Sequence, residues 1–246
     1  MSGGGRGRWA GPAARPLVVA LLLGGMGLWL RGQELDSIER RTINADYLLR
    51  ATREHLWLTV VATLAVAALA LPLGVLLTRP ALRRVAPGVL AVLGVGQAVP
   101  AYGVMVLLTL RFGVGFRVAA VALVAYSLLP VLRNVVTGIG QVDPALVEAG
   151  RGMGMSRAAV LWRIELPLAV PVVLTGLRTA MVIGAGVATL ATFVGAGGLG
   201  DIIINGIKLG RTPVLVTGSV LCACVALALD WAGAVAERAL SPRGVS

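Results

Sequence analysis

Long apolar runs alternate with short polar connections along this chain, and six of the runs have the character of membrane spans. They lie at 17–30, 56–77, 88–110, 118–132, 168–190 and 212–235. An apolar run of about 20 residues crosses a bilayer as a helix, because helical pairing satisfies the backbone polar groups that lipid cannot. The first run is short unless it extends back towards Pro12. Either an uncleaved anchor or a cleaved signal peptide fits it; the stretch Met26 to Arg31 lacks an evident small-x-small cleavage site, which favours the anchor. Between Arg31 and His55 the pattern turns polar and mixed in charge, which predicts an external surface helix with His55 on its surface beside Glu54. The other connections are short, so neighbouring spans run antiparallel. The expected division is therefore an N-terminal tail, first span and external segment over 1–55, followed by a transmembrane domain over 56–240.

Composition agrees with this class. The 246 residues are 57% hydrophobic and only 13% charged, against ~25% charged in soluble domains. The net charge of +11 comes almost wholly from arginine, much of it in short loops where it sets orientation and meets anionic lipid. Nucleic acid is not expected as a partner. With both termini inside, twelve Lys and Arg fall inside and nine outside, Arg178 being left within the fifth span. Lys208, the only lysine, follows Ile207, so no P-loop G-x-x-x-x-G-K-[ST] is possible. Cys222 and Cys224 sit inside an apolar helical pattern and are assigned to packing. His55 has no His or Cys nearby, so no metal site is expected, and no Ser/His/Asp set offers a nucleophile.

The most informative polar insert lies at about 143–167. Asp143-Pro144 is a helix start, with Asp as N-cap and Pro where no N–H is needed. A first helix should run to about Arg151, with a turn at Gly152 and Gly154. Ser156 should cap a second helix over 157–165, and Pro167 should open the next span. The second helix carries Ala158, Ala159, Leu161, Trp162 and Ile164, more apolar surface than a loop normally leaves in water. A groove on another protein would cover it; resting on lipid headgroups is the alternative.

The series Glu148-Ala149-Gly150, then Gly154, then Ile164-Glu165-Leu166-Pro167 resembles the E-A-A-x3-G-x9-I-x-L-P loop of permease subunits in ATP-binding-cassette importers. Only Gly150 departs from it, standing where the family has alanine; glycine lowers helix stability by about 1 kcal/mol, which predicts a looser first helix. The stretches Leu128-Leu129-Pro130-Val131-Leu132-Arg133-Asn134, Glu165 to Pro171 continuing to Ala180, and Ala191 to Asp201 resemble the osmoprotectant branch, permeases for glycine betaine, carnitine or choline. The resemblance covers about 56–235 and implies an all-α fold, a type I importer-permease core with one extra N-terminal transmembrane helix. It also implies the partners: an ATPase subunit dimer that binds ATP and Mg, leaving this chain without a cofactor of its own, a second permease copy or paralogue, and an external solute-binding protein. The setting is the inner, cytoplasmic membrane of a prokaryote, and the docking residues are Glu148, Ala149, Gly150, Gly154, Trp162, Ile164, Leu166 and Pro167.

Other residues are candidates for a gate or pathway. Gly195, Gly197 and Gly200 satisfy G-x-G-x-x-G, but an apolar helix precedes them and position 220 is valine, so a dinucleotide site is rejected. A tight re-entrant turn that includes Gly198, with Asp201 starting a short helix, is expected instead; gate lining and simple packing both fit it. Gln97, Pro100 and Tyr102 interrupt the third span and Tyr126 the fourth, as broken helices do along substrate paths and as proline also does in ordinary membrane helices. Arg178, a charge inside a span, calls for an acid, a partner permease, or snorkelling to the surface. The eleven aromatics, five Trp, three Tyr and three Phe, are too scattered for a quaternary ammonium cage, so tight recognition is expected in the external binding protein. An importer of methionine or another small solute, or a membrane docking or assembly protein without transport, are the competing readings.

Overall fold

The computed structural model describes residues 14–240, and among them every regular element is helical. The arginines at 6, 8 and 243 lie outside the described residues. Helix α1 spans Ala14–Arg31, and a short α2 (Ser37–Thr42) starts in a capping box in which Asp36 accepts from the Glu39 N–H and the Glu39 carboxylate accepts from the Asp36 N–H. Next come α3 (Ala45–Thr78), α4 (Ala86–Ala98), α5 (Ala101–Phe112) and α6 (Phe116–Gly140). The polar insert forms α7 (Pro144–Gly152) and α8 (Arg157–Val160), and α9 (Leu166–Val187), α10 (Leu199–Lys208) and α11 (Thr212–Leu240) complete the chain. Five helical stretches are long and apolar enough to cross a membrane, and the bent pair α4–α5 makes a sixth.

The polar segment before residue 56 is not one surface helix: only Ser37–Thr42 stands apart as α2, and the residues from Ala45 on belong to α3. Asn44 caps α3 by accepting from the Tyr47 N–H at 2.9 Å, and the helix then runs without interruption through the boundary expected at 55/56. Its buried stripe is Ala51, His55, Leu58, Thr59, Ala62, Val66 and Ala70, residues three or four apart that share one face. His55 therefore belongs to the core, 1% exposed, with Nε2 3.0 Å from the Ala185 carbonyl. Reading polarity as exposure misplaced it, because the helix that turns His55 inwards starts at Ala45, eleven residues before the apolar run.

Helices α3, α6 and α9 form the centre, around Val66, Ala70, Val131, Leu132, Val135, Ala169 and Val173. Small residues let them approach closely, which matters where lipid is as apolar as the protein and packing must drive association. A methyl at Gly176 of α9 would stand 2.7 Å from Asn134 Cβ of α6. Helix α11 packs on α9 and α10, whereas α1 leans on α11 and buries none of its residues.

Candidate functional site

The polar insert is built by caps that the sequence places. Asp143 accepts from the Ala145 N–H at 2.8 Å, Pro144 occupies the first helical turn, and Ser156 accepts from the Ala159 N–H at 3.2 Å. Between the helices Gly154 takes φ +83°, a left-handed conformation that costs other residues about 1–2 kcal/mol. Glu148, Ala149 and Gly154 are exposed, as is Trp162 at 70%. Ile164, Leu166 and Pro167 are half-buried.

The insert departs from the sequence reading at two points. The second helix does not stop before Pro167; α8 continues through a π-turn (Leu161–Glu165) into α9, with the Leu166 N–H bonded to the Leu161 carbonyl. Pro167 cannot bond to the carbonyl four residues back, and the wider turn accommodates it. Trp162 thus sits on helix that continues into α9 without a break. Gly150 is also not a loose point: it is buried, and a methyl there would meet Ile164 Cδ1 at 2.7 Å. The isoleucine end occupies the space a methyl at position 150 would take.

Glu165 also reaches out of the insert, accepting from Arg79 Nη2 at 2.6 Å and so tying the end of α3 to the π-turn. Around this pair lies an open cavity of about 610 Å³, walled by Arg83, Ile139, Glu148 and Arg151. The sequence signalled Arg79 only as a topogenic charge.

At mid-span, α4 and α5 meet at 92°, broken at Val99-Pro100. Gln97 and Tyr126 bond across to each other's backbone at this break. Tyr102, on α5, stacks edge-on against Phe193 with ring centroids 4.8 Å apart. Phe193 belongs to a 3₁₀ turn, Ala188–Val194, so this contact joins the bent span to the glycine-rich turn. That turn is tight, as expected: Gly195, Gly197 and Gly198 take φ of +69°, +75° and +91°. Gly200 has no room for a side chain beside the Thr189 carbonyl. Asp201 lies in the first turn of α10 and accepts from the Thr192 hydroxyl.

Glu54 was not singled out from the sequence, yet its carboxylate accepts from the Gly198 N–H at 3.1 Å and binds the turn to α3. Nothing local in the sequence joins these two, which are 144 positions apart.

Arg178 is paired with an acid, one of the alternatives open to it. Asp230 of α11 takes its Nε, and also its Nη2 at 3.1 Å, while Glu237 lies 3.6 Å from Nη1. Arg15 Nε of α1 reaches the same Asp230 at 2.7 Å. The network holds α1, α9 and α11 together. Asp230, a lone acid inside an apolar span, was the readable signal for this partner.

At the other end of α1, Arg211 contacts Asp36 and lies 3.7 Å from Glu39, fastening the α2 segment to the α10–α11 corner. The Glu39 N–H and then Arg211 hold the Asp36 carboxyl below the usual carboxylate range.

Residues 70–244 match the family described as binding-protein-dependent transport system inner membrane component. The glycine betaine/carnitine/choline transport system permease protein of Bacillus subtilis (strain 168) is 41% identical over 200 residues, 81% of this chain and 86% of that protein. The osmoprotectant import permease protein of Salmonella typhimurium is 36% identical over 216 residues, 86% of this chain and all of that protein. Among solved structures, an inward-facing methionine ABC transporter chain superposes with a TM-score of 0.69 at 26% identity, over 79% of this chain and 96% of that one. The matched region contains the polar insert, the bent third span and the glycine turn, so the chain belongs to the binding-protein-dependent transport system inner membrane components and is a transport permease of the inner membrane.

Proposed function

We propose that this chain is the transmembrane permease subunit of an ATP-driven importer for osmoprotectants such as glycine betaine, carnitine or choline. The observation that carries the reading is 41% identity across 81% of the chain to a permease named for those three solutes. A dimeric ATPase subunit binds ATP and Mg, a second copy or paralogue completes the path, and an external binding protein delivers the solute. The loop over 143–167 receives the ATPase: Glu148 and Gly154 shape the exposed turn, and Trp162 supplies the apolar contact. Because α8 passes into α9 without a break, motion of the ATPase reaches the transmembrane core through one rod, and Arg79–Glu165 passes it to α3. The path then alternates between inward and outward access, with the bent span, the glycine turn and Asp201 as gate elements. Import of methionine or another small solute is less favoured, because the relatives at 36–41% identity named for a solute class are osmoprotectant permeases.

The test is uptake of labelled glycine betaine, carnitine, choline and methionine into proteoliposomes holding the chain with its ATPase and binding protein. Uptake of the first three should require ATP and the binding protein, and Glu148→Lys or Gly154→Val should abolish it while leaving membrane insertion intact. Methionine uptake alone would sink the substrate assignment; normal uptake by both variants would sink the transmission role of the loop. Labelling of a cysteine placed at Met153 from outside intact cells, in a background without Cys222 and Cys224, would overturn the cytoplasmic placement of the loop.

A further inference from the structure

The end of the bundle away from the docking insert carries a second polar recess. Glu54 precedes Thr78 by 24 positions on α3, about 36 Å at 1.5 Å per residue. There the first turns of α3 and the glycine turn enclose a pocket of about 420 Å³ whose side-chain lining includes Tyr47, Arg50, Glu54, Thr192 and Asp201. Two carboxylates and one guanidinium give it a mixed charge with an excess of one negative. Among the described residues, neither Glu54 nor Asp201 has an ion-pair partner; each accepts from a neutral donor instead, the Gly198 N–H and the Thr192 hydroxyl. Arg50 is exposed and also lacks an acid partner, its Cζ resting 5.2 Å over the Tyr47 ring.

We propose that this pocket is a transient docking site for a zwitterionic quaternary ammonium solute, whose ammonium meets Tyr47, Glu54 and Asp201 and whose carboxylate meets Arg50. The proposal rests on the osmoprotectant reading and deepens it. The Tyr47 ring already faces a cation, and a quaternary ammonium satisfies it by the same attraction of positive charge to the π face. Arg50 is then released to bind a carboxylate, for which its planar fork is suited. The carboxylates stay fixed because backbone and hydroxyl donors hold them, and Gly197 keeps Glu54 in place: a methyl there would lie 2.6 Å from Glu54 Oε2. One aromatic ring in an open pocket makes a weak site, suited to receiving solute from a binding protein and letting it go.

Choline carries the ammonium without the carboxylate, and this sets the test. Uptake of glycine betaine, carnitine and choline is measured in proteoliposomes with the ATPase and saturating binding protein, for wild type, Arg50→Gln, Tyr47→Phe and Tyr47→Leu. Arg50→Gln should lower the uptake rate of glycine betaine and carnitine about tenfold, the size of one lost charge-assisted hydrogen bond, and leave choline unchanged. Tyr47→Leu should impair all three solutes and Tyr47→Phe none, since the ring is kept. Equal effects of Arg50→Gln on all three solutes, or none, would overturn the site while leaving the functional reading standing. A wild type that carries choline alone would also overturn it. A wild type that carries none of the three refutes the functional reading itself, before any variant is compared.

Discussion

Gln97 and Tyr126 cross between α4 and α6 and satisfy backbone groups that two prolines leave open. Pro130 has no N–H for the Tyr126 carbonyl one turn earlier, and Gln97 Nε2 donates to that carbonyl at 2.7 Å. The break at Pro100 strands the carbonyls of Gln97 and Val99, and the Tyr126 hydroxyl lies against both, 3.3 Å from the first. In a bilayer such groups have no water to turn to, so a broken span persists only where side chains complete its bonding. The bend is held from the neighbouring helix.

Tyr126→Phe and Gln97→Leu should each destabilise the protein by about 1 kcal/mol, in keeping with hydrogen bonds inside membrane proteins. Because the two bonds close one bend, the double variant should lose less than the sum. Unfolding midpoints in mixed detergent for the four proteins give the coupling, and strict additivity would show two independent bonds.

Gly150→Ala restores the family's residue but drives a methyl against Ile164 Cδ1. The gain in helix propensity, about 1 kcal/mol, is offset by displacement of the isoleucine, so the single variant should be close to neutral. Adding Ile164→Val removes Cδ1 and should make the pair more stable than Ile164→Val alone. Resistance of the Arg151 peptide bond to trypsin reads this out; an unchanged cleavage rate would mean the two residues do not compete for the same space.

Asp230 receives both Arg178 and Arg15. Asp230→Asn should cost up to about 3 kcal/mol, the scale for an unpaired charge within a bilayer, because Arg178 keeps only the more distant Glu237. Arg15→Gln should cost far less, since Arg15 sits at the end of a helix that buries nothing. Thermal unfolding of the purified variants ranks them, and equal losses would place the weight of the network on α1.

Asp36 has its carboxyl held below the usual range, first by the Glu39 N–H and then by Arg211. Its folded value is depressed, so its contribution is present above the unfolded carboxylate value near about 3.9 and fades as pH falls through the folded one. Amide exchange across 36–44, corrected for intrinsic rates, should rise selectively below about pH 4. Asp36→Asn should produce the same loosening at neutral pH and abolish the pH response; an unchanged response in that variant would assign it to another group.

The sequence by itself determined what is local. Spans follow from apolar run length, the α7 and α8 starts from Asp143-Pro144 and Ser156, and the tight turn from Gly195, Gly197 and Gly198, whose positive φ leaves glycine as the residue that fits without strain. The polar insert is legible for the same reason: caps and glycines act within a few residues. Only the tertiary structure decided which distant groups meet. Arg178 needed some acid, but Asp230 is 52 positions away, and Glu54 and Gly198 are 144 apart. His55 is polar in a polar stretch and was read as surface, yet the phase of α3 carries it inwards to Ala185. Periodicity tells which residues share a face, whereas the choice of face is made by the neighbour that packs against it.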